Sequence, residues 1–156
     1  MDSKNNQMNV VDLLINNEVN VGKLYRAYAK RFREHCNFWA DLASGEVEHA
    51  FWIRKLASKI ADGTVFVNEN RFNAAAIKTF SRYLESELTK ANESGISLIA
   101  ALTTALYIEE SLIEQKYFEV FDGDSIEFKK TMIDLANGTK DHRSKIKELL
   151  NEARAI

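Results

Sequence analysis

The octet Leu42-Ala43-Ser44-Gly45-Glu46-Val47-Glu48-His49 recurs 93 residues later in the same chain. The second copy reads Leu135-Ala136-Asn137-Gly138-Thr139-Lys140-Asp141-His142. Leucine, alanine, glycine and histidine recur in register, and an acidic residue directly precedes each histidine. The difference that bears most on chemistry is at the fifth position, where the second copy has Thr139 in place of Glu46. The repeat predicts a chain built from two related halves.

The composition of the 156 residues is typical of a single helical domain. Hydrophobic residues make up 46% and charged residues 28%, as in folded globular proteins. The chain has no proline, a residue that breaks helix interiors because it lacks a backbone N–H and clashes with the preceding turn. Alanine, leucine, glutamate and lysine, which favour helices, are plentiful. We therefore expect an all-α fold in one domain that spans residues 1–156.

Charge and cysteine content argue against several classes of function. A net charge of −2 and a pI near 6.0 offer no basic surface for nucleic acid. The single cysteine, Cys36, leaves no disulfide framework and no four-cysteine metal site. The polar N-terminus lacks the apolar stretch of a secretory signal, and no apolar run reaches the ~20 residues that a membrane span needs. We therefore expect a cytoplasmic protein with no nucleic-acid or membrane partner.

Apolar residues spaced alternately three and four apart predict four long helices. The predicted ranges are 8–33, 38–61, 96–121 and 126–153. Polar residues interrupt each apolar stripe midway, and these are Glu18, then Glu46 with His49, then Glu110, then Thr139 with His142. A buried carboxylate is costly unless it is paired or bound to a metal, so these residues indicate a shared polar site. Glu109 and Glu114 flank Glu110 and could replace or join it.

Both octets also place a glycine inside a predicted helix, where glycine lowers helix stability. Gly45 and Gly138 occupy the same place in the two copies, each after a polar residue. We therefore expect each glycine to be required by the close approach of a neighbouring helix rather than to mark a break.

Residues 62–95 form the connection between the two halves. Asp62-Gly63 ends the second helix, because glycine is common just past a helix end. Val65-Phe66-Val67 is a short extended apolar patch. Apolar spacing predicts a further helix over residues 73–91, ~29 Å long at 1.5 Å per residue. That length suits a crossover along a helical bundle.

The polar core residues of each half lie at matching distances from a predicted turn. Glu18 on one side and the Glu46–His49 pair on the other are centred near the turn at residues 33–37. In two antiparallel helices, residues equidistant from the turn lie side by side. The second half repeats this arrangement around the turn at residues 122–125. Its members are Glu110, Thr139 and His142.

A four-helix bundle with an inward glutamate from two helices and Glu-x-x-His from the other two holds a pair of iron or manganese ions in carboxylate proteins. In this pattern the chain resembles the ferritin-like superfamily, and within it the rubrerythrin-like di-iron proteins, over about residues 8–153. The resemblance implies an antiparallel ferritin-like four-helix bundle of two duplicated helix pairs. It also implies a long crossover that contains an additional helix.

The resemblance implies a set of metal ligands, which are Glu18, Glu46, His49, Glu110, Glu114 and His142. Glu46 would bridge the two metals, and Glu18 and Glu110 would be largely terminal ligands. Threonine is a poor ligand for iron, so Glu114 or Glu109 could supply the carboxylate that Thr139 lacks. Three tyrosines two or more turns away could form outer hydrogen bonds or pack, and these are Tyr25, Tyr28 and Tyr117.

The resemblance implies two iron ions, with manganese or zinc as alternatives, and reduction of peroxide or oxygen or oxidation of Fe(II). Rubrerythrins carry a rubredoxin-like domain with four cysteines, so with Cys36 alone we expect electrons from a separate donor protein. One alternative is a bundle that binds metal without redox turnover, and another is a structural bundle whose metal site has decayed. A homodimer along the flank of Phe51 and Trp52 is a further expectation.

Overall fold

Helices occupy most of the chain, so the prediction of a mainly helical protein is confirmed. The computed structural model describes residues 3–68, 74–93, 95–114 and 117–155. The helices of the described residues are α1 Ser3–Arg31, α2 Cys36–Ala61, α3 Ala74–Ala91, α4 Leu98–Glu114 and α5 Ile126–Arg154. Two short strands, β1 Val65–Val67 and β2 Phe121–Gly123, lie between them, and 3₁₀ turns cover Arg33–His35 and Tyr117–Val120.

α1 and α2 form a helical hairpin around the turn predicted near residue 33. The 3₁₀ turn at Arg33–His35 joins them, and the two helices pack along each other. They come close at Gly22, where an added Cβ would lie 3.5 Å from Cβ of Glu46. The hairpin brings Glu18 of α1 to the same level as His49 of α2, as the turn predicted.

α4 and α5 form a second packed pair, and both pairs share one core. Tyr25 of α1 is hydrogen-bonded to Glu109 of α4, and Glu46 of α2 contacts His142 of α5. The largest fully buried side chains of the described residues are Trp39, Tyr25, Tyr28, Leu24, Leu42, Ile53, Ile77, Leu84, Leu102, Ile108, Leu135 and Ile146. They come from all five helices, so the described residues form one helical bundle.

α3 forms within the connection between the halves, where apolar spacing predicted a helix. It packs on α1 through the buried side chains of Ile77, Phe80 and Leu84. α2 ends at Ala61, and Gly63, two residues further on, takes the positive φ of 83° that favours glycine past a helix end. The predicted stop at Asp62-Gly63 is therefore confirmed.

The third long helix is shorter than predicted, because its expected last residues form the 3₁₀ turn Tyr117–Val120 and, from Phe121, a strand of a small sheet. The predicted range was 96–121, whereas α4 ends at Glu114 and β2 begins at Phe121. β1 and β2 are antiparallel, with Val67 opposite Phe121. Strand pairing satisfies the backbone hydrogen bonds of the apolar patch at Val65–Val67. It also accompanies burial of the side chains of Val65, Val67 and Phe121 in the core. The sheet joins the end of α2 to the start of α5.

Large apolar side chains are exposed at a few places on the described surface. Val47 and Phe51, one turn apart on α2, are about half exposed, while Trp52 is half-buried. The homodimer along this flank stays a prediction. None of the described helices combines the length and the apolar character that crossing a membrane requires.

Replacing Ser125 by alanine should destabilise the fold through the start of α5. The Ser125 Oγ accepts a hydrogen bond of 3.0 Å from the backbone N–H of Phe128, which caps the helix. Losing such a cap lowers the free energy of unfolding by about 1 kcal/mol. Urea unfolding measures the change, with Ser144→Ala as the control because Ser144 is exposed within the same helix. Equal unfolding midpoints for the two variants would contradict the capping role.

Candidate metal centre

Polar side chains from four helices meet in the middle of the core. They are Glu18 of α1, Glu46 and His49 of α2, Glu109 of α4, and Thr139 and His142 of α5. Each of these residues is 6% exposed or less. Acidic and basic side chains are rarely buried to this extent unless they are paired with each other or with an ion. The two octets therefore contribute to one site.

The Glu46 carboxylate lies between the two imidazoles. Its Oε1 is 2.9 Å from Nδ1 of His142, and its Oε2 is 3.4 Å from Nδ1 of His49. The two rings stack on each other with centroids 5.2 Å apart and planes inclined by 27°. Each oxygen of Glu46 thus faces one histidine.

One further carboxylate faces each imidazole. Oε2 of Glu18 is 3.8 Å from Nδ1 of His49, and Oε1 of Glu109 is 3.4 Å from Nδ1 of His142. The site therefore consists of two sets that share Glu46. We call Glu18, Glu46 and His49 the His49 set, and Glu109, Glu46 and His142 the His142 set.

The donor atoms of the two sets fit metal ions. Ligand atoms held ~2.1 Å from one ion lie roughly 3.0–3.4 Å from each other. The distances from each Nδ1 to its two carboxylate oxygens, 2.9–3.8 Å, lie around that range. One ligand atom each from Glu46, His49 and His142 lies within 4.8 Å of the others. Four buried donor atoms lack a hydrogen bond, namely Oε2 of Glu18, of Glu46 and of Glu109, and Nδ1 of His49. Leaving such buried atoms without a hydrogen bond is costly, and a bound cation would satisfy them.

The carboxylates raise the pKa of both imidazoles. Burial lowers the pKa of His49, but its contacts with Glu18 and Glu46 outweigh that effect and raise it to about 11. Burial likewise lowers the pKa of His142, and its contacts with Glu109 and Glu46 raise it to about 9. Without a metal, both imidazoles are therefore protonated at neutral pH.

The pKa values of Glu46 and Glu18 shift in opposite directions. Burial raises the pKa of Glu46 well above its ordinary value, and the charges of Glu109 and Glu18 raise it further. Burial also raises the pKa of Glu18, but its contacts with Glu46 and with the imidazole of His49 outweigh burial and lower it overall. The imidazoles of the metal-free cluster thus retain protons that a metal ion would displace.

Tyr25 fixes the outer carboxylate of the His142 set. Its hydroxyl donates a hydrogen bond of 2.8 Å to Oε1 of Glu109, as an outer hydrogen bond to a metal ligand would. Burial and the charge of Glu109 raise the pKa of Tyr25 well above its ordinary value, so the proton stays on the phenol. Tyr28 packs against Trp39 instead, and the side chain of Tyr117 lies outside the described residues.

Glu110 lies outside the cluster, so its predicted place on the buried face is wrong. Its side chain is 46% exposed and accepts a 3.4 Å hydrogen bond from Nε of Arg143. Glu109, one of the flanking alternatives, occupies the buried position instead. The side chain of Glu114 lies outside the described part of the chain, and its role as a ligand stays a prediction.

The buried face of α4 is displaced by one residue from the predicted one. Ala101 and Ala105 are fully buried, whereas Ile99 is 41% exposed. The predicted stripe followed the large apolar side chains and passed over the alanines. A stripe that includes them would have identified Glu109, since it runs through Ala101, Leu102, Ala105, Ile108, Glu109 and Leu112.

Thr139 occupies the position of the second octet that corresponds to Glu46, but it carries no carboxylate. The side chain is fully buried, and its hydroxyl donates a hydrogen bond of 2.9 Å to the carbonyl of Leu135 in the same helix. The hydroxyl group of Thr139 therefore donates its hydrogen bond within α5 and not to a side chain of the cluster. Glu46 is the one residue of the described cluster that faces both imidazoles.

The glycines of the octets face the histidines of the opposite helix. A Cβ added to Gly45 would collide with the ring of His142, and one added to Gly138 would collide with the ring of His49. The expected close approach at these two positions is confirmed, and the approaching groups are the imidazoles themselves.

Comparison of the chain with protein-family models, with curated proteins and with solved structures found no match. The resemblance to ferritin-like proteins therefore stays a prediction, and the chemistry proposed below depends on the residues of this chain.

In the metal-free protein, we expect His142 to titrate near pH 9 and His49 near pH 11. Both values exceed the ordinary pKa of ~6.5 that applies in the unfolded chain. The stabilisation is therefore complete below about pH 6.5 and is lost as the pH rises through 9 and then 11. NMR of ¹⁵N-labelled imidazoles gives the titration midpoints, and urea unfolding at pH 7.5 and 10 gives the loss of stability.

The variant Glu46→Gln provides the control for this titration. Removing the shared carboxylate should lower both midpoints, because the Glu46 carboxylate helps to raise the pKa of each ring. Midpoints near the ordinary value in the parent protein would contradict the arrangement of the cluster.

Proposed function

We propose that this protein is a ferritin-like, rubrerythrin-like metal protein that holds two ions, iron in the first instance, in the core of its helical bundle. The observation that carries the proposal is the position of Glu46, which presents one carboxylate oxygen to each imidazole. The His49 set would hold one ion and the His142 set the other, with Glu46 bridging them. Carboxylate and imidazole donors suit iron and manganese, with zinc as an alternative.

Two iron ions in this site would supply the electrons that reduce peroxide or oxygen, or would themselves be the Fe(II) that is oxidised. The chain would contribute orientation and protection. Tyr25 would hold Glu109 in place through its hydrogen bond, and the buried side chains of Trp39 and Leu42 would help to keep bulk water out of the site. A separate donor protein would return electrons to the site, and this partner is part of the proposal.

A second candidate is a protein that binds metal without redox turnover. It is favoured by Thr139, whose hydroxyl is bonded to its own helix and offers no second bridging carboxylate. A third candidate is a structural bundle in which protonated imidazoles and carboxylates neutralise each other. The raised pKa values of His49 and His142, about 11 and about 9, favour that pairing when no metal is present.

Metal titration separates the structural candidate from the other two. Metal-free protein titrated with Zn²⁺, and with Fe²⁺ under anaerobic conditions, should bind two ions per chain. Glu46→Gln should weaken binding by at least about 100-fold, because it removes the ligand shared by both ions. Glu48→Gln is the matched control, since Glu48 is an exposed glutamate of the same helix. Equal metal content in the parent protein and in Glu46→Gln would refute the site.

Oxidation of the bound iron separates catalysis from binding. We expect Fe(II)-loaded protein mixed with peroxide in a stopped-flow instrument to be oxidised faster than free Fe(II) under the same conditions. A rate equal to that of free Fe(II) would exclude the oxidoreductase and leave the second candidate.

Thr139→Glu should strengthen the site by supplying the carboxylate that the second octet lacks. We expect metal affinity to rise about tenfold, the lower end of what a supporting group contributes to a metal site. Thr131→Glu is the matched control, because Thr131 lies on the same helix and bonds to the carbonyl of Glu127 in the same way. Isothermal titration with Zn²⁺ measures both variants, and an equal change in both would contradict a specific role for position 139.

A further inference from the structure

The two imidazoles are positioned from the opposite side by glycines that belong to the other octet. Gly45 on α2 faces the ring of His142 on α5, and Gly138 on α5 faces the ring of His49 on α2. In both cases the added Cβ would meet the Nε2–Cε1 edge of the ring, while Nδ1 faces the carboxylates. The packing is therefore reciprocal. Each helix provides one imidazole and one gap, which is the space left by the missing side chain of its glycine.

The gap at each glycine fixes where the ring can lie. On one side the ring stacks on the other imidazole, and on its Nδ1 edge it faces the oxygens of Glu46. The remaining edge lies in the space that a Cβ on the glycine would fill. A methyl group there would push on the ring rather than on the backbone, because a ring turns about two side-chain bonds whereas the glycine sits within a long helix. Displacing the ring would then draw Nδ1 away from its carboxylates.

We propose that Gly45 and Gly138 are positioning residues for the opposite half of the site, where Gly138 holds His49 in the His49 set and Gly45 holds His142 in the His142 set. Each metal position then depends on the absence of a side chain at a glycine of the other octet, and both imidazoles offer Nδ1 as the ligand atom. The metal-binding part of this inference rests on the proposed function, whereas the packing part concerns the metal-free protein as well.

Gly22 shows what a glycine without this role looks like. It lies inside α1, and a Cβ added there would lie 3.5 Å from Cβ of Glu46 and 3.7 Å from the carbonyl oxygen of Ala43. Both distances are ordinary van der Waals contacts, and neither involves an imidazole. Gly22→Ala is therefore the matched control for the effect of alanine in a helix interior.

The test pairs each glycine substitution with the removal of one ring. In a His142→Ala background one metal position remains, the His49 set. Adding Gly138→Ala should weaken Zn²⁺ binding about 100-fold, comparable to the loss of a supporting group at a metal site. Adding Gly45→Ala should change nothing further, because the ring that it would meet is already gone. In a His49→Ala background the pattern should reverse, with Gly45→Ala damaging and Gly138→Ala silent.

The same variants are also compared without metal by their melting temperatures. Where the facing ring is present, Gly138→Ala should lower the melting temperature. Where that ring has been replaced, the same substitution should raise it, because alanine favours a helix more than glycine does. Gly22→Ala should retain two ions and should not show this dependence on either histidine. Circular dichroism confirms that each variant is folded.

The two measurements separate failure of this inference from failure of the proposed function. A parent protein that binds no metal refutes the metal site, and the inference is then judged on the melting temperatures alone. If each glycine substitution has the same effect in both histidine backgrounds, the reciprocal positioning is refuted, whatever the parent protein binds. If each effect appears only in the background that retains the facing ring, the positioning role is established.

Discussion

Glu46 is fully buried at the centre of four helices, and each of its oxygens faces an imidazole. Placing a carboxyl group in an apolar core is costly, and the cost falls only if its neighbours are also in place. The two imidazoles offset the cost of burying Glu46. Glu18 and Glu109 in turn offset the cost of burying the imidazoles. The polar cluster therefore links α1, α2, α4 and α5 far more specifically than apolar packing would, because a shift of any helix would separate opposite charges.

The remaining architecture holds these four helices in register. The short turn between α1 and α2 sets Glu18 beside His49, while the strand pair β1–β2 joins the end of α2 to the start of α5. α3 covers α1 along the crossover. The hydrogen bond from Tyr25 to Glu109 ties α1 to α4 inside the core. The carboxylates and imidazoles are thus already oriented in the metal-free protein, which would reduce the reorganisation that the proposed metal binding requires.

The sequence predicted those parts of the structure that follow from helical periodicity and from the repeat. The positions of Glu18, Glu46, His49 and His142 could be inferred because large apolar residues surround them in their own helices. Glu109 was displaced by one position to Glu110, because the buried face of α4 is formed partly by alanines, which carry little weight in a hydrophobic pattern. Helical spacing also could not show that Phe121 belongs to a strand, because its partner strand, Val65–Val67, lies more than fifty residues away. The sequence could not show which group lies opposite each glycine, because Gly45 and His142, and likewise Gly138 and His49, meet only when α2 and α5 pack together.

The reciprocal contacts between the octets have the form of a two-fold symmetric dimer contained in one chain. A helix pair that carried a single octet would find the glycine facing its histidine only in a second copy. Two identical copies would always place the same residue at the fifth position of the octet, either glutamate twice or threonine twice. Joining the halves covalently removes that restriction. The difference between Glu46 and Thr139 is one that a dimer of identical copies could not carry, and it gives the two sides of the site unequal chemistry on a nearly symmetric frame.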